Sequence, residues 1–142
     1  MTPPPAPDRH AFLGQEWSLL QHQYERQESH VLAVRLAALA LYLAGWALGL
    51  DAVAAAVLTL LLWAQEGMVR AWQNRAGERL LRIESQLRGE APALPAFQLH
   101  SEWAAGRPGT VGLLAEYAAQ AARPTVAFFY VVLLALLAAP WG

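Results

Sequence analysis

Apolar positions fall in blocks along this chain, and the longest block sets the frame. Residues 31–69 read VLAVRLAALALYLAGWALGLDAVAAAVLTLLLWAQEGMV, and as far as Ala64 only Arg35, Asp51 and Thr59 interrupt the apolar or glycine run. One helix crosses a bilayer with about 20 apolar residues. The block is too long for one crossing and the right length for two, joined at Leu48-Gly49-Leu50-Asp51. The pattern therefore predicts a transmembrane helical hairpin, with spans over 31–49 and 51–66. Gly49 can take the positive φ that closes a helix, and Asp51 is a good N-cap for the returning one.

The helical pattern extends beyond the spans on both sides. Leu13, Trp17, Leu20 and Tyr24, followed by Gln27 and Val31, alternate steps of four and three, which is a heptad seam. No Pro or Gly lies between Gln15 and Ala44, so one helix is predicted from His10 to Gly49. After the second span, Val69, Trp72, Ala76, Leu80, Ile83 and Leu87 continue at helical steps to a C-cap at Arg88-Gly89. A fold-back at Leu50-Asp51 sets residues whose numbers sum to about 100 side by side, because both helices rise equally per residue. Leu13 then meets Leu87, Trp17 meets Ile83, Leu20 meets Leu80, Gln27 meets Gln73 or Asn74, and Val31 meets Val69. Residues 10–30 and 67–88 are expected to form an antiparallel stalk roughly 30 Å long.

The same relation sets Arg35 opposite Glu66. A lone Arg deep in a span costs on the order of 3 kcal/mol on insertion scales, so an Arg35–Glu66 ion pair that fastens the hairpin is expected. Gly45 and Gly49, with Ala52 and Ala56, offer small-residue spacings for packing within the hairpin or between copies. Gly67 and Gly77 mark close packing or hinges.

The remaining segments are shorter. Residues 1–9 form a proline-rich leader, expected to be disordered, with no apolar core of the kind a signal peptide needs. Residues 89–109 hold three Pro and three Gly and read as a loop with at most a short helical piece, in which Phe97, Leu99 and Trp103 can lie along the stalk or interface. Residues 110–123 place Val111, Leu114, Tyr117, Ala118 and Ala121 on one face of a short interfacial helix. Pro124 suits the first turn of a new helix, and residues 124–141 read as a third span, with Trp141 at the far interface. Its core, 126–139, is shorter than the usual ~17 residues, so a re-entrant or tilted helix stays open.

Composition strengthens the membrane reading. The chain is 56% hydrophobic and 15% charged, against about a quarter charged in soluble domains. The net charge of −1 hides a positional bias. There is no Lys, and no Arg lies in the tip between the first two spans or after the third. The positive-inside rule puts the N-terminus, stalk and central loop in the cytoplasm and the C-terminus outside. An Ala- and Leu-rich chain without Lys fits a GC-rich bacterial genome, so the expected location is the bacterial inner membrane.

Candidate chemistry is sparse. The absence of Cys excludes disulfides and thiolate sites. His22 and His30 are too far apart on one helix to chelate a single ion, and no zinc, nucleotide or serine-hydrolase motif is present. Most carboxylates sit among Arg in a solvated or interhelical pattern, with Glu78–Arg82 as an i,i+4 pair. Arg is too diluted by Glu for nucleic acid. No cofactor, metal or catalytic group is expected. The chain reads as an all-α membrane protein that acts by assembly, as an accessory, scaffold or anchoring subunit. Its expected partners are the lipid bilayer and either a second copy or another membrane or cytoplasmic protein. A homo-oligomeric pore, transport subunit or membrane-disrupting effector is the alternative. The layout over residues 12–87 resembles the two-span effector modules of bacterial antiviral signalling systems. The likeness rests on layout without a motif, and the third span departs from it.

Overall fold

The computed structural model describes residues 8–90, 92 and 95–139. These form five helices and no strand: α1 (Arg9–Leu48), α2 (Ala52–Leu87), α3 (Leu99–Gly106), α4 (Thr110–Ala121) and α5 (Pro124–Ala138). Most of the expected leader, and Trp141, lie outside the described residues.

The helix ends follow from local chemistry. Asp8 Oδ1 accepts from the amide of His10 at 3.0 Å and caps α1. At the other end Gly49 has φ of 66°, and the Leu50 amide reaches back to the Gly45 carbonyl at 2.9 Å. This is the six-to-one bond of a Schellman ending. Asp51 Oδ2 then accepts from the Ala54 amide at 3.0 Å and caps α2. The same closure recurs after α2, where Gly89 has φ of 76° and the Glu90 amide bonds to the Ser85 carbonyl at 2.9 Å.

Two helices, α1 and α2, are long and apolar enough to cross a membrane. Among the described residues, α4 and α5 together meet the same length and composition test, and they are bent by 75° where they join. By itself α5 has 15 residues, roughly 22 Å at the helical rise. The bend falls where Pro124 begins a new helix and Arg123 takes an extended conformation.

The chain divides into two units, Met1–Arg26 with Asn74–Arg107, and Gln27–Gln73 with Pro108–Gly142. In the first, Leu13, Leu20, Leu80 and Ile83 are buried together, with Trp17, Tyr24, Ala96 and Leu99 against them. Trp17 Nε1 also donates to Glu84 Oε1 at 3.0 Å. In the second, Ala38, Val126, Tyr130 and Leu133 form the core, flanked by Tyr42, Leu62, Trp63 and Phe129.

Several expected positions are displaced. Trp72 is 43% exposed and Leu87 37% exposed, and Val69 is only half-buried. The buried stripe of α2 instead runs through Ala71, Gln73, Ala76, Arg79, Leu80, Ile83 and Gln86. The expected stripe already has the helical period, 18 residues over five steps, and shares Ala76, Leu80 and Ile83 with the observed one; what it leaves out is the polar Gln73, Arg79 and Gln86, which an apolar pattern does not count. Gln73 Nε2 donates to Glu28 Oε1, next to Gln27, at 2.7 Å. On α4, Val111 and Leu114 are exposed while Leu113 and Gln120 are buried. The buried side is set by Gly67, where an added Cβ would lie 3.0 Å from both the Tyr117 carbonyl oxygen and Ala121 Cβ. Gly45 faces Ala55 and Leu50, whereas Gly49 is committed to the turn, so within the hairpin the two glycines do not act as one packing motif.

Candidate functional site

The charged groups of the second unit converge on Glu66, which is fully buried. Arg35 comes from α1, a similar number of residues before the turn as Glu66 lies after it. Its Nη2 donates to Glu66 Oε1 at 2.6 Å, and its Nε lies 3.1 and 3.0 Å from the two carboxylate oxygens. Tyr130, from α5, donates its hydroxyl to Glu66 Oε2 at 2.9 Å. Arg35 Nη2 also donates to the Thr125 carbonyl at 2.9 Å, so the guanidinium ties α1, α2 and α5. Arg70 Nε stands 3.7 Å from Glu66, and its Nη1 binds Glu28 at 3.0 Å.

Aromatic packing closes this cluster. The Tyr130 ring stacks on Trp63 with centroids 5.8 Å apart and planes within 9°, and Phe129 meets Tyr130 edge-on. Trp63 Nε1 donates to the Ala121 carbonyl at 2.9 Å, fixing the α4 end. Both Glu66 oxygens are therefore occupied, and the charge is matched by a forked guanidinium, the strongest common arrangement for such a pair. The geometry suits a clasp. A general base would need an oxygen open to substrate.

A second charged cluster lies in the first unit. Arg79, fully buried, donates from Nε to Glu16 Oε1 at 2.9 Å and from Nη2 to Oε2 at 3.1 Å. Its Nη1 reaches Glu102 at 2.6 Å, and Nη2 also binds the Pro95 carbonyl at 2.9 Å. Glu16 Oε2 accepts the Phe97 amide at 2.7 Å. Burial by itself would lower the pKa of Arg79, but the hydrogen bonds and charge of Glu16, and then those of Glu102, outweigh it and raise the value. Arg82 Nη1 binds Glu102 Oε2 at 3.0 Å, and its Nε reaches the Glu78 carbonyl, while the Glu78 carboxylate accepts from Asn74 at 2.9 Å. The sequence pattern had Arg82 on the Glu78 carboxylate. α3 draws it to Glu102 instead.

Glu16 and Arg79 are the residues that sequence reasoning missed. A signal existed: Glu16 lies between Leu13 and Leu20 on the buried stripe of α1, and Arg79 between Ala76 and Ile83 on that of α2. Two opposite charges at apolar-face positions of paired helices point to each other. His10, His22, His30 and His100 are all exposed, with His22 Nδ1 3.9 Å from Glu25. Among the described residues no three His, Asp or Glu side chains gather as metal ligands.

No family model matches the chain, nor does any curated protein or solved structure.

Proposed function

We propose that the chain is a small protein of the bacterial inner membrane that acts by assembly, as an accessory, scaffold or anchoring subunit, without catalysis. The observation that supports this best is the apolar exterior of the second unit. Leu32, Leu36 and Leu43 on α1, Leu61 on α2, and Phe128 and Val131 on α5 are all exposed. Water-facing surfaces rarely leave apolar patches of that extent uncovered, and lipid is the solvent that covers them. Thr59 and Arg35, within the apolar stretches of those helices, are satisfied internally, as lipid requires. Thr59 donates to the Ala55 carbonyl at 2.8 Å, and Arg35 is held by Glu66.

In this reading 31–49 and 51–66 are spans, and α5 belongs to a third that follows the bent α4. Residues 10–30 and 67–88 form the cytoplasmic stalk, and the Arg-free turn at Gly49 lies outside. The closed Glu66 cluster acts as the fastener that keeps the spans together while other surfaces meet partners.

Mass measurement in mild detergent combined with ion flux in liposomes tests the function. A monomer or small assembly without flux is expected. A ring of several copies that conducts would replace this reading with a homo-oligomeric pore. Cysteines placed at Asp51 and Ser101 test topology: a membrane-impermeant thiol reagent applied outside should label the first and spare the second.

A further inference from the structure

We infer that the proline-rich residues 1–7 fold back from Asp8 and lie in an apolar groove of the first unit, alongside α1. The groove, about 260 Å³, is lined by Leu19, Leu20 and Gln23 of α1, by Phe97, Leu99 and His100 at the entry to α3, and by Glu16. Its occupant, MTPPPAP, lies outside the described residues. The inference concerns the first unit alone and does not rest on the assembly reading.

The groove gathers apolar side chains that are otherwise uncovered. Phe12, Leu19 and Phe97 are 41%, 54% and 53% exposed. Apolar residues scattered singly over a surface are ordinary, whereas a contiguous patch marks a contact. Here Phe12 and Phe97 meet in a T-shaped pair. Leu19 lies seven residues, two helical turns, beyond Phe12 on the same side of α1. Phe97 holds its ring in this patch at a φ of 58°, a costly conformation for a bulky residue.

The polar groups of the groove suit a proline segment. Proline lacks an N–H, and a polyproline II helix makes no internal hydrogen bonds, so such a segment offers carbonyl acceptors and few donors. Glu16, the acceptor of the groove, already holds Arg79 and the Phe97 amide. Gln23 and His100 can donate. Both are exposed, and no hydrogen bond among the described residues engages either. Aromatic-lined grooves take polyproline II segments because the fixed φ of proline leaves little freedom to lose. Pro3, Pro4, Pro5 and Pro7 supply that stiffness, and Pro4 and Pro7, three apart, share one side of a helix with three residues per turn.

Position and length select the chain's own segment. Asp8 precedes Phe12 by four residues and so stands on the groove side of α1. Seven residues of polyproline II extend about 22 Å, and Phe12 to Gln23 spans about 16 Å of α1. The segment therefore covers the groove and leaves residues for the reversal at Pro7-Asp8. A tether this short gives an effective concentration on the order of millimolar, which a competing proline-rich peptide has to exceed.

The chain has no Cys, so spin labels at Thr2→Cys and Ser18→Cys report one distance in the full chain, in neutral detergent, by pulsed electron paramagnetic resonance. Ser18 is exposed and does not line the groove. A narrow distribution below about 25 Å is expected, against a broad one reaching about 34 Å for a segment that points away from α1. Leu19→Gln should broaden and lengthen it, and so should Phe97→Gly, which removes the ring while relieving the positive φ. Leu81→Gln, also at an exposed leucine but outside the groove, should leave it unchanged. Near-ultraviolet circular dichroism checks that each variant keeps the parent's packing. An equal mixture of singly labelled chains should show no short distance. A broad distribution in the parent, an unchanged one in either folded groove variant, or a short distance in the mixture, which would place the segment on a second copy, overturns the inference.

Discussion

Arg79 Nε and Glu16 Oε1 face each other at 2.9 Å, with both side chains buried. The contact joins α2 to α1, and the other Glu16 oxygen holds the Phe97 amide. One pair therefore fixes two helices and the chain leading into α3. Removing one partner strands a buried charge, so Arg79→Met alone or Glu16→Leu alone should destabilise the chain by about 3–5 kcal/mol. The double variant should lose less than the sum, because neither charge is left behind. Denaturant unfolding of the detergent-solubilised chain measures this, and additive losses would show that the two groups do not couple. Arg79 stays charged across the physiological range, since its pKa is raised, so its side of the pair should add no pH dependence there.

The same logic applies to Arg35 and Glu66, with one refinement. Arg35→Leu and Glu66→Leu together should again cost less than the two single changes summed. Tyr130→Phe removes only the hydroxyl bonded to Glu66 at 2.9 Å, and a hydrogen bond to a charged group is worth about 1.5–3 kcal/mol. A Tyr130→Phe variant as stable as the parent would mean that this bond carries no weight.

Gly67 and Gly77 should respond to Ala with opposite signs. At Gly67 the new Cβ would lie 3.0 Å from a backbone oxygen and from Ala121 Cβ, neither of which is a flexible end. Overpacking of this kind costs about 1–3 kcal/mol. At Gly77 the nearest atom is Tyr24 Cε2 at 3.7 Å, an ordinary contact, so Ala should stabilise α2 by roughly 0.5–1 kcal/mol. Thermal melts of the two variants settle the comparison. Equal shifts would argue against close approach of α4 to α2.

Phe97 has φ of 58°, the only positive value at a non-glycine among the described residues. A bulky side chain in that region carries a cost of order 1–3 kcal/mol. Its ring is half exposed and meets Phe12 in a T-shaped arrangement, centroids 6.4 Å apart. Phe97→Gly should therefore be more stable than Phe97→Ala by about 1 kcal/mol. The reverse order in unfolding experiments would show that the backbone relaxes when the ring is lost.

The hairpin is legible because its signals are local and redundant. Gly49 and Asp51 each have one natural role at a helix junction, and two helices of equal rise then set Arg35 beside Glu66. What lay out of reach depends on contacts with elements whose facing side the sequence leaves open. α5 is apolar all round, so nothing in its pattern turns Tyr130 toward Glu66. α3 emerges from a Pro- and Gly-rich stretch, so Glu102 gave no sign of drawing Arg82 away from Glu78. The stripe on α2 follows apolar residues alone, which puts Trp72 and Leu87 inside and leaves the buried Arg79 out. On α4 the covered side depends on Gly67, which admits the Tyr117 backbone and Ala121 of the assigned face, while Val111 and Leu114 of the same face are exposed.

Tyr130 follows Glu66 by 64 residues. At a synthesis rate of about 5–20 residues per second, the carboxylate waits roughly 3–13 s for that hydroxyl. During the interval Arg35, already made, is its nearest available donor, and the carbonyl of Thr125 that later steadies Arg35 does not yet exist. The nascent hairpin therefore carries its charge pair before the partners that complete it. For those seconds groups other than α5, bound water among them, must supply what α5 supplies afterwards.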